Sequence, residues 1–210
     1  KIFGDIPIFV AYDSADVWAN QHLFQLDAEG MPLAVAGVPP DYFSSTGQRW
    51  GNPLYNWQAH LAEDFHWWTR RFIHQLQQCD MIRIDHFRGF QACWSIPATE
   101  KTAVNGHWEE APGRKLLEKL QTINAKMPII AEDLGVITED VEALRDDFGL
   151  PGMNILQFAF DSGPDNPYLP ENQAANSLVY TGTHDTDTTL GWWRSLPQAQ
   201  TERIRDYLGK

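Results

Sequence analysis

Residues 81–90 read MIRIDHFRGF, a short apolar run of the kind that forms a buried strand, except that Arg83 and Asp85 interrupt it with charge. Successive side chains of a strand point to opposite faces, so Ile82 and Ile84 share one face while Arg83 and Asp85 share the other. The first face belongs to a core; the second carries an ion pair. Charges are seldom buried without partners, and a buried pair is a doubtful stabilising device. A functional site and a structural salt bridge both fit this segment taken alone.

Four further segments read as strands: 6–10 (IPIFV), 128–132 (PIIAE), 154–160 (NILQFAF) and 177–183 (SLVYTGT). They are short and rich in Ile, Val and Phe, as parallel strands covered on both faces are. Helical periodicity predicts helices over 60–78, 113–125, 138–148 and 197–208. Thr138 followed by Glu139 and Asp140 reads as an N-cap with an acidic first turn, and Gly149 as a stop. On that helical reading, His66, Trp67 and Trp68 are packing residues, as are Trp192 and Trp193. Strands alternating with helices imply right-handed β-α-β units and a parallel sheet.

Residues 27–57 break this rhythm. They contain GVPPDYFSSTGQRWGNPLYNW, dense in Gly, Pro, Ser and aromatics, and exceed an ordinary strand-to-helix connection. The segment is expected to be an inserted lid or binding loop; Tyr42, Phe43, Trp50, Tyr55 and Trp57 argue against disorder.

Bulk properties narrow the function. A chain of 210 residues with 43% hydrophobic content can build a substantial core in one or at most two domains. A net charge of −12 disfavours unspecific binding to nucleic acid or an anionic membrane, which requires basic patches. Nine Trp and six Tyr supply flat side chains with an apolar face and a polar edge, suited to packing and compatible with sugar stacking. Cys79 and Cys93 fit neither a Cys-x-x-Cys nor a zinc-finger spacing, so two reduced thiols in a cytoplasmic protein are expected. No apolar run approaches membrane-spanning length. The sequence opens at Lys1, not Met, almost directly inside an apolar run, which reads as a fragment of a longer protein.

Carboxylates recur at or just past the ends of three of these strands: Asp85, Glu132 and Asp185. Asp5 and Asp161 extend the set. In β/α barrels and open parallel sheets, sites form at the C-terminal strand edge. Glu132 and Asp133 point to opposite sides, and Glu132, which shares a face with Ile130, is expected at the rim. Thr181, Thr183 and Asp185 share a face if the last strand persists that far, and Asp187 is placed to cap the following helix. Carboxylates around a neutral ligand suit glycoside chemistry, one as nucleophile and one as acid then base; the same set could bind a divalent cation.

MIRIDHFRGF, IIAEDLG, YTGTHDTDTTLGWW, GDIPIFVAYDSADVW and AGVPPDYFSSTGQRWGNPLYNW together resemble the 4-alpha-glucanotransferases, or amylomaltases, of glycoside hydrolase family 77, in the family's order. The resemblance runs from Gly4 to Trp193. It implies a partial (β/α)8 TIM barrel, about strands three to seven, with residues 1–210 a piece of one catalytic barrel and 27–57 a lid inserted within it. It implies retaining transfer of alpha-1,4-glucan segments, with a malto-oligosaccharide or alpha-glucan as partner and no cofactor or metal. Asp85 matches the nucleophile, Glu132 the general acid/base and Asp185 the carboxylate that stabilises the transition state. Arg83 matches the arginine paired with the nucleophile, His184 a sugar-holding histidine, and Asp5 a substrate-contacting aspartate. Tyr42, Phe43, Gln48 and Trp50 match glucan contacts of the lid, and His86, adjacent to the nucleophile, is expected with Arg83 among the substrate-binding residues. Glu132, near other carboxylates and without an arginine beside it in sequence, is expected to have a raised pKa.

Three rivals use the same residues differently. An amylase-type hydrolase or debranching enzyme would share the carboxylates; a metal-dependent hydrolase would ligate through Asp85, His86, His184 and Asp185; a non-catalytic glucan-binding protein would use the aromatics alone.

Overall fold

The structure, a computed structural model, describes residues 1–41 and 44–209. The chain folds as two compact units, Lys1–Leu150 and Pro151–Lys210.

In chain order the first unit contains β1 (Phe3–Pro7), α1 (Ala15–Ala19), β2 (Ala34–Val38), β3 (Gln48–Pro53), α2 (Trp57–Ala62), α3 (His66–Leu76), β4 (Met81–Asp85), β5 (Ala92–Pro97), β6 (His107–Glu110), α4 (Gly113–Ile123), β7 (Ile129–Ala131) and α5 (Glu139–Asp147). Its parallel sheet has the order β1-β4-β7, with each strand beside its neighbour in the β/α succession. Asp5 stands opposite Arg83 and Pro7 opposite Asp85; Ile84 stands opposite Ala131. Ile82 and Ile84 join Ile6, Ile129 and Ala131 in one buried cluster with Trp68 and Phe72 of α3, Leu116, Leu117 and Leu120 of α4, and Val141 and Leu144 of α5. Each such side chain withdrawn from water contributes about 1.5–3 kcal/mol, so the apolar half of the β4 alternation anchors the sheet. The charged half, Arg83 and Asp85, lies on the opposite face.

The first strand lies at Phe3–Pro7, three residues before the expected 6–10. Ile8, Phe9 and Val10 are buried but outside the ladder. This puts Asp5 inside the strand. The helix expected over 60–78 divides into α2 and α3, because Asp64 and Phe65 adopt left-handed backbone at φ 51° and 54°. Phe65 is thereby buried, and Trp67 and Trp68 pack as expected into a cluster with Tyr55, Trp57 and His60. At α5, Thr138 occupies the N-cap position, but its hydroxyl bonds Asp140 instead of a main-chain N–H. Gly149, at φ 63°, makes the stop.

Residues 27–57, expected as an inserted lid or binding loop, contain regular structure. They carry the β2–β3 hairpin, which belongs to a four-stranded antiparallel sheet of order β3-β2-β5-β6. Gly37 makes the hairpin possible: a Cβ there would lie 2.1 Å from the Gln48 carbonyl oxygen. Tyr55 then locks the returning chain to the first strand's exit by donating from its buried hydroxyl to the Ile8 carbonyl at 2.5 Å.

The second unit contains β8 (Gly152–Ile155), β9 (Ser177–Tyr180), α6 (Thr189–Ser195) and α7 (Gln198–Tyr207). β8 and β9 pair in parallel and end five and three residues short of the expected 160 and 183. Past β8, residues 156–158 turn into a 3-10 helix.

Candidate active site

Arg83 explains how charge is tolerated in β4. Its Nη1 donates to both carboxylate oxygens of Asp5, at 2.8 and 3.0 Å, and its Nη2 lies 2.8 Å from Asp85 Oδ1. The arginine side chain is 9% accessible while Asp5 and Asp85 are 43% and 40% accessible. A buried cation is thus clamped between two anions that keep part of their hydration. Burial opposes the guanidinium's charge, but Asp5, Asp85 and Glu132 outweigh it, and its pKa is raised. The ion pair of the sequence reading is thus a group of three, Arg83 with Asp5 and Asp85.

Glu132 follows β7 directly, beside the end of β4. Its main-chain N–H donates to Ile84 O at 3.0 Å, and Phe87 N–H donates to Glu132 O at 3.0 Å, so the chain after Asp85 wraps the glutamate. The side chain accepts from His86 N–H through Oε2 at 2.7 Å and from Leu134 N–H through Oε1 at 3.2 Å. Its pKa is pushed up to about 7, first by burial and then by the charge of Asp85; the His86 and Leu134 amides and the Arg83 cation pull less strongly the other way. Asp133 turns to the opposite side and pairs with Arg145 of α5, as alternation requires. Two carboxyl groups on adjacent strand ends therefore have different surroundings. One is bonded to a buried cation; the other remains substantially protonated near neutral pH.

The hairpin reaches this pair through Trp50. Its indole ring meets the His86 ring edge-on, with centroids 4.8 Å apart, and its Nε1 donates to Gln48 Oε1 at 3.0 Å. Gln48, Trp50 and His86 are thus brought together, His86 through its N–H bonding Glu132, while Arg83 joins Asp5 to Asp85. Tyr42 and Phe43 lie outside the described residues.

In the second unit, His184 and Asp185 lie in an exposed turn, each with 67% side-chain accessibility and with His184 Nε2 3.5 Å from Asp185 Oδ2. The alternation expected to carry Thr181, Thr183 and Asp185 on one face stops at Tyr180. Asp185 is instead oriented by a turn, its N–H donating to Thr183 Oγ1 at 3.3 Å while Thr186 N–H donates to Thr183 O. The cap of α6 is Thr188, which accepts from Gly191 N–H; Asp187 accepts from Thr188 N–H. Asp161 accepts from Asn166 Nδ2 within its own loop.

Sequence reasoning missed the left-handed backbone of His86, φ 52° and ψ 52°, which turns the chain toward Glu132. It also missed that Arg83 serves Asp5 as well as Asp85. No local signal announces either, since both depend on residues 46 and 78 positions away. Among the described residues, no group of three or more His, Cys, Asp or Glu side chains is placed to hold a metal ion. No helix there is long and apolar enough to cross a membrane.

The profile of the 4-alpha-glucanotransferase family matches residues 1–210. A 4-alpha-glucanotransferase from Thermus thermophilus is 58% identical, over 99% of this chain and 42% of its own length. The chloroplastic/amyloplastic enzyme of that name from Solanum tuberosum is 53% identical, over 99% of this chain and 36% of its own. Among solved structures, an amylomaltase from Streptococcus agalactiae, in complex with acarbose, matches with a TM-score of 0.95 and 42% identity, over 100% of this chain and 43% of its own. The mixed α/β fold is the one found there. The chain spans about two-fifths of the length of the curated relatives it matches.

Proposed function

The chain belongs to the 4-alpha-glucanotransferase family, and from that premise we propose that it carries the catalytic carboxylates of a retaining transfer of alpha-1,4-glucan segments between malto-oligosaccharides. Asp85 attacks the anomeric carbon while Glu132 protonates the departing glycosidic oxygen, which leaves a glycosyl ester on Asp85. The 4-hydroxyl of an acceptor sugar then displaces Asp85 and gives its proton to Glu132, so that both carboxyl groups return to their starting states. Asp185 supplies negative charge to the oxocarbenium-like transition state. Asp5, Gln48, Trp50 and His184, with Tyr42 and Phe43, contact the glucan.

The architecture that goes with this function is a partial (β/α)8 barrel, about strands three to seven. The β2–β3 hairpin region is the insertion that covers the site and excludes water from the glycosyl ester. A reducing, cytoplasmic setting accords with the free thiols of Cys79 and Cys93.

One observation carries the reading: Asp85 bonded to a buried arginine, beside a glutamate whose pKa lies at about 7. A retaining enzyme needs that division, an anion to attack and an acid to protonate. The test is to incubate the full-length protein with maltotriose and a chelator, then separate the products by size. A ladder of longer glucans with glucose is expected. Glucose and maltose alone would replace transfer by hydrolysis on the same carboxylates, and no turnover with tight glucan binding would leave a binding protein.

A further inference from the structure

His86 stands between the hairpin and the general acid without an evident task of its own. Its Nε2 is buried and has no hydrogen-bond partner among the described residues. Burial lowers its pKa to about 4, with Arg88 adding to the effect, so the ring is neutral at working pH. Its contacts there are aromatic: Trp50 edge-on at 4.8 Å and Phe9 tilted at 6.5 Å. The Gly89 backbone completes the seat, since a Cβ at that position would come within 3.3 Å of His86 Cδ2.

The backbone of the same residue does something different. At φ 52° and ψ 52° it occupies the left-handed region that side-chain-bearing residues rarely adopt. This conformation sends two successive N–H groups to one glutamate, His86 N–H to Glu132 Oε2 at 2.7 Å and Phe87 N–H to Glu132 O at 3.0 Å. Gly89 N–H closes the turn on His86 O at 3.0 Å. A disfavoured backbone persists when its surroundings fix it, and here those surroundings are the three main-chain hydrogen bonds and the ring packed beside Phe9 and Trp50.

We propose that His86 is a positioning residue that couples the hairpin to the acid/base: Trp50 seats the imidazole, the seated imidazole holds the left-handed turn, and the turn aims an N–H at Glu132. The proposal rests on the reading of Glu132 as general acid/base and adds a regulation of that same group. When Trp50 lies against His86, as with the hairpin over the site, the hydrogen bond to Glu132 is made. When Trp50 leaves, the bond weakens and the carboxyl group loses a donor that favours its ionised form. The other influences on Glu132 stay in place: the Asp85 anion and burial, which favour the proton, and the Arg83 cation and Leu134 amide, which oppose it.

The experiment is the pH profile of kcat/KM for maltotriose disproportionation by the full-length protein carrying Trp50→Ala, His86→Val or both, with His86→Asn as the conservative variant. Valine resists left-handed backbone and asparagine tolerates it. The alkaline limb is expected to move up by about one pH unit in His86→Val, the effect of losing one charge-assisted hydrogen bond. Trp50→Ala is expected to move it in the same direction, the double variant no further than His86→Val alone, and His86→Asn to restore the parent limb. An alkaline limb unmoved by Trp50→Ala, with only KM raised, would overturn the coupling and leave Trp50 a substrate contact. If His86→Val does not fold, the Trp50→Ala profile decides alone. Failure of the underlying reading is distinguishable, because Glu132→Gln would then keep its turnover.

Discussion

Replacing Glu132 by glutamine should change the sign of its effect on stability as pH rises. In the folded protein the carboxyl group titrates at about 7, against an ordinary value of 4.5, a difference on the order of 3 kcal/mol between its charged and neutral forms. Below the unfolded value both states hold the proton and the site costs nothing. Between 4.5 and about 7 the unfolded chain releases its proton while the native one keeps it, so stability falls with rising pH. Above that window the native state bears the whole cost of an ionised, partly buried carboxylate beside Asp85. Glutamine never bears it. The amide does lose one acceptor, because a single oxygen must serve the N–H groups of both His86 and Leu134, at about 1 kcal/mol. The variant should therefore be less stable than the parent by about 1 kcal/mol in acid and more stable by about 2 kcal/mol above neutrality. Urea unfolding at steps from roughly pH 4 to 9 measures the difference directly, and titrations common to both proteins cancel. A difference that stays constant across that range would refute the raised pKa and, with it, the assignment of Glu132 as the acid.

Arg83→Met should cost only about 1–2 kcal/mol of stability, because Asp5 and Asp85 keep their water once the cation is gone. It should nonetheless move the Glu132 titration upward, since Arg83 lowers it, and carboxyl-carbon NMR of the parent and variant reads this shift. Gly37→Ala places a Cβ 2.1 Å from the Gln48 carbonyl, which should cost about 1–3 kcal/mol or more by urea unfolding and loosen the hairpin that carries Trp50. An unchanged midpoint would mean that β2 and β3 need not approach so closely.

The sequence was most legible where the physics is local. β4 was read at its observed bounds because the alternation of Ile82 and Ile84 with Arg83 and Asp85 lies within a single strand. Glu132 was separated from Asp133 by the same alternation, and the structure sends Asp133 to Arg145. β1 was misplaced because Gly4 and Asp5 are poor strand formers alone; they sit in the ladder because β4 pairs with them from far along the chain. The antiparallel sheet was illegible for the same reason. β2 and β5 lie 57 or more residues apart at every paired position, and the hairpin's Gly and Pro residues, of which Gly37 permits its close approach, read locally as loop. The division of α2 from α3 has no Gly or Pro to announce it. At Asp185 the error was to extend a period-two argument beyond Tyr180, where the ladder ends and turn hydrogen bonds take over.

The central claim, that Asp85 is the nucleophile and Glu132 the acid/base, is tested most directly by trapping the glycosyl-enzyme. The full-length Glu132→Gln variant is given a maltosyl fluoride of alpha configuration, whose leaving group needs no proton, then digested and analysed by mass spectrometry. Because the base that activates the acceptor hydroxyl is absent, a maltosyl adduct should accumulate on the peptide that contains Asp85 and be absent when Asp85→Asn is added. An adduct on another peptide, or none while the fluoride is still consumed, would contradict the account.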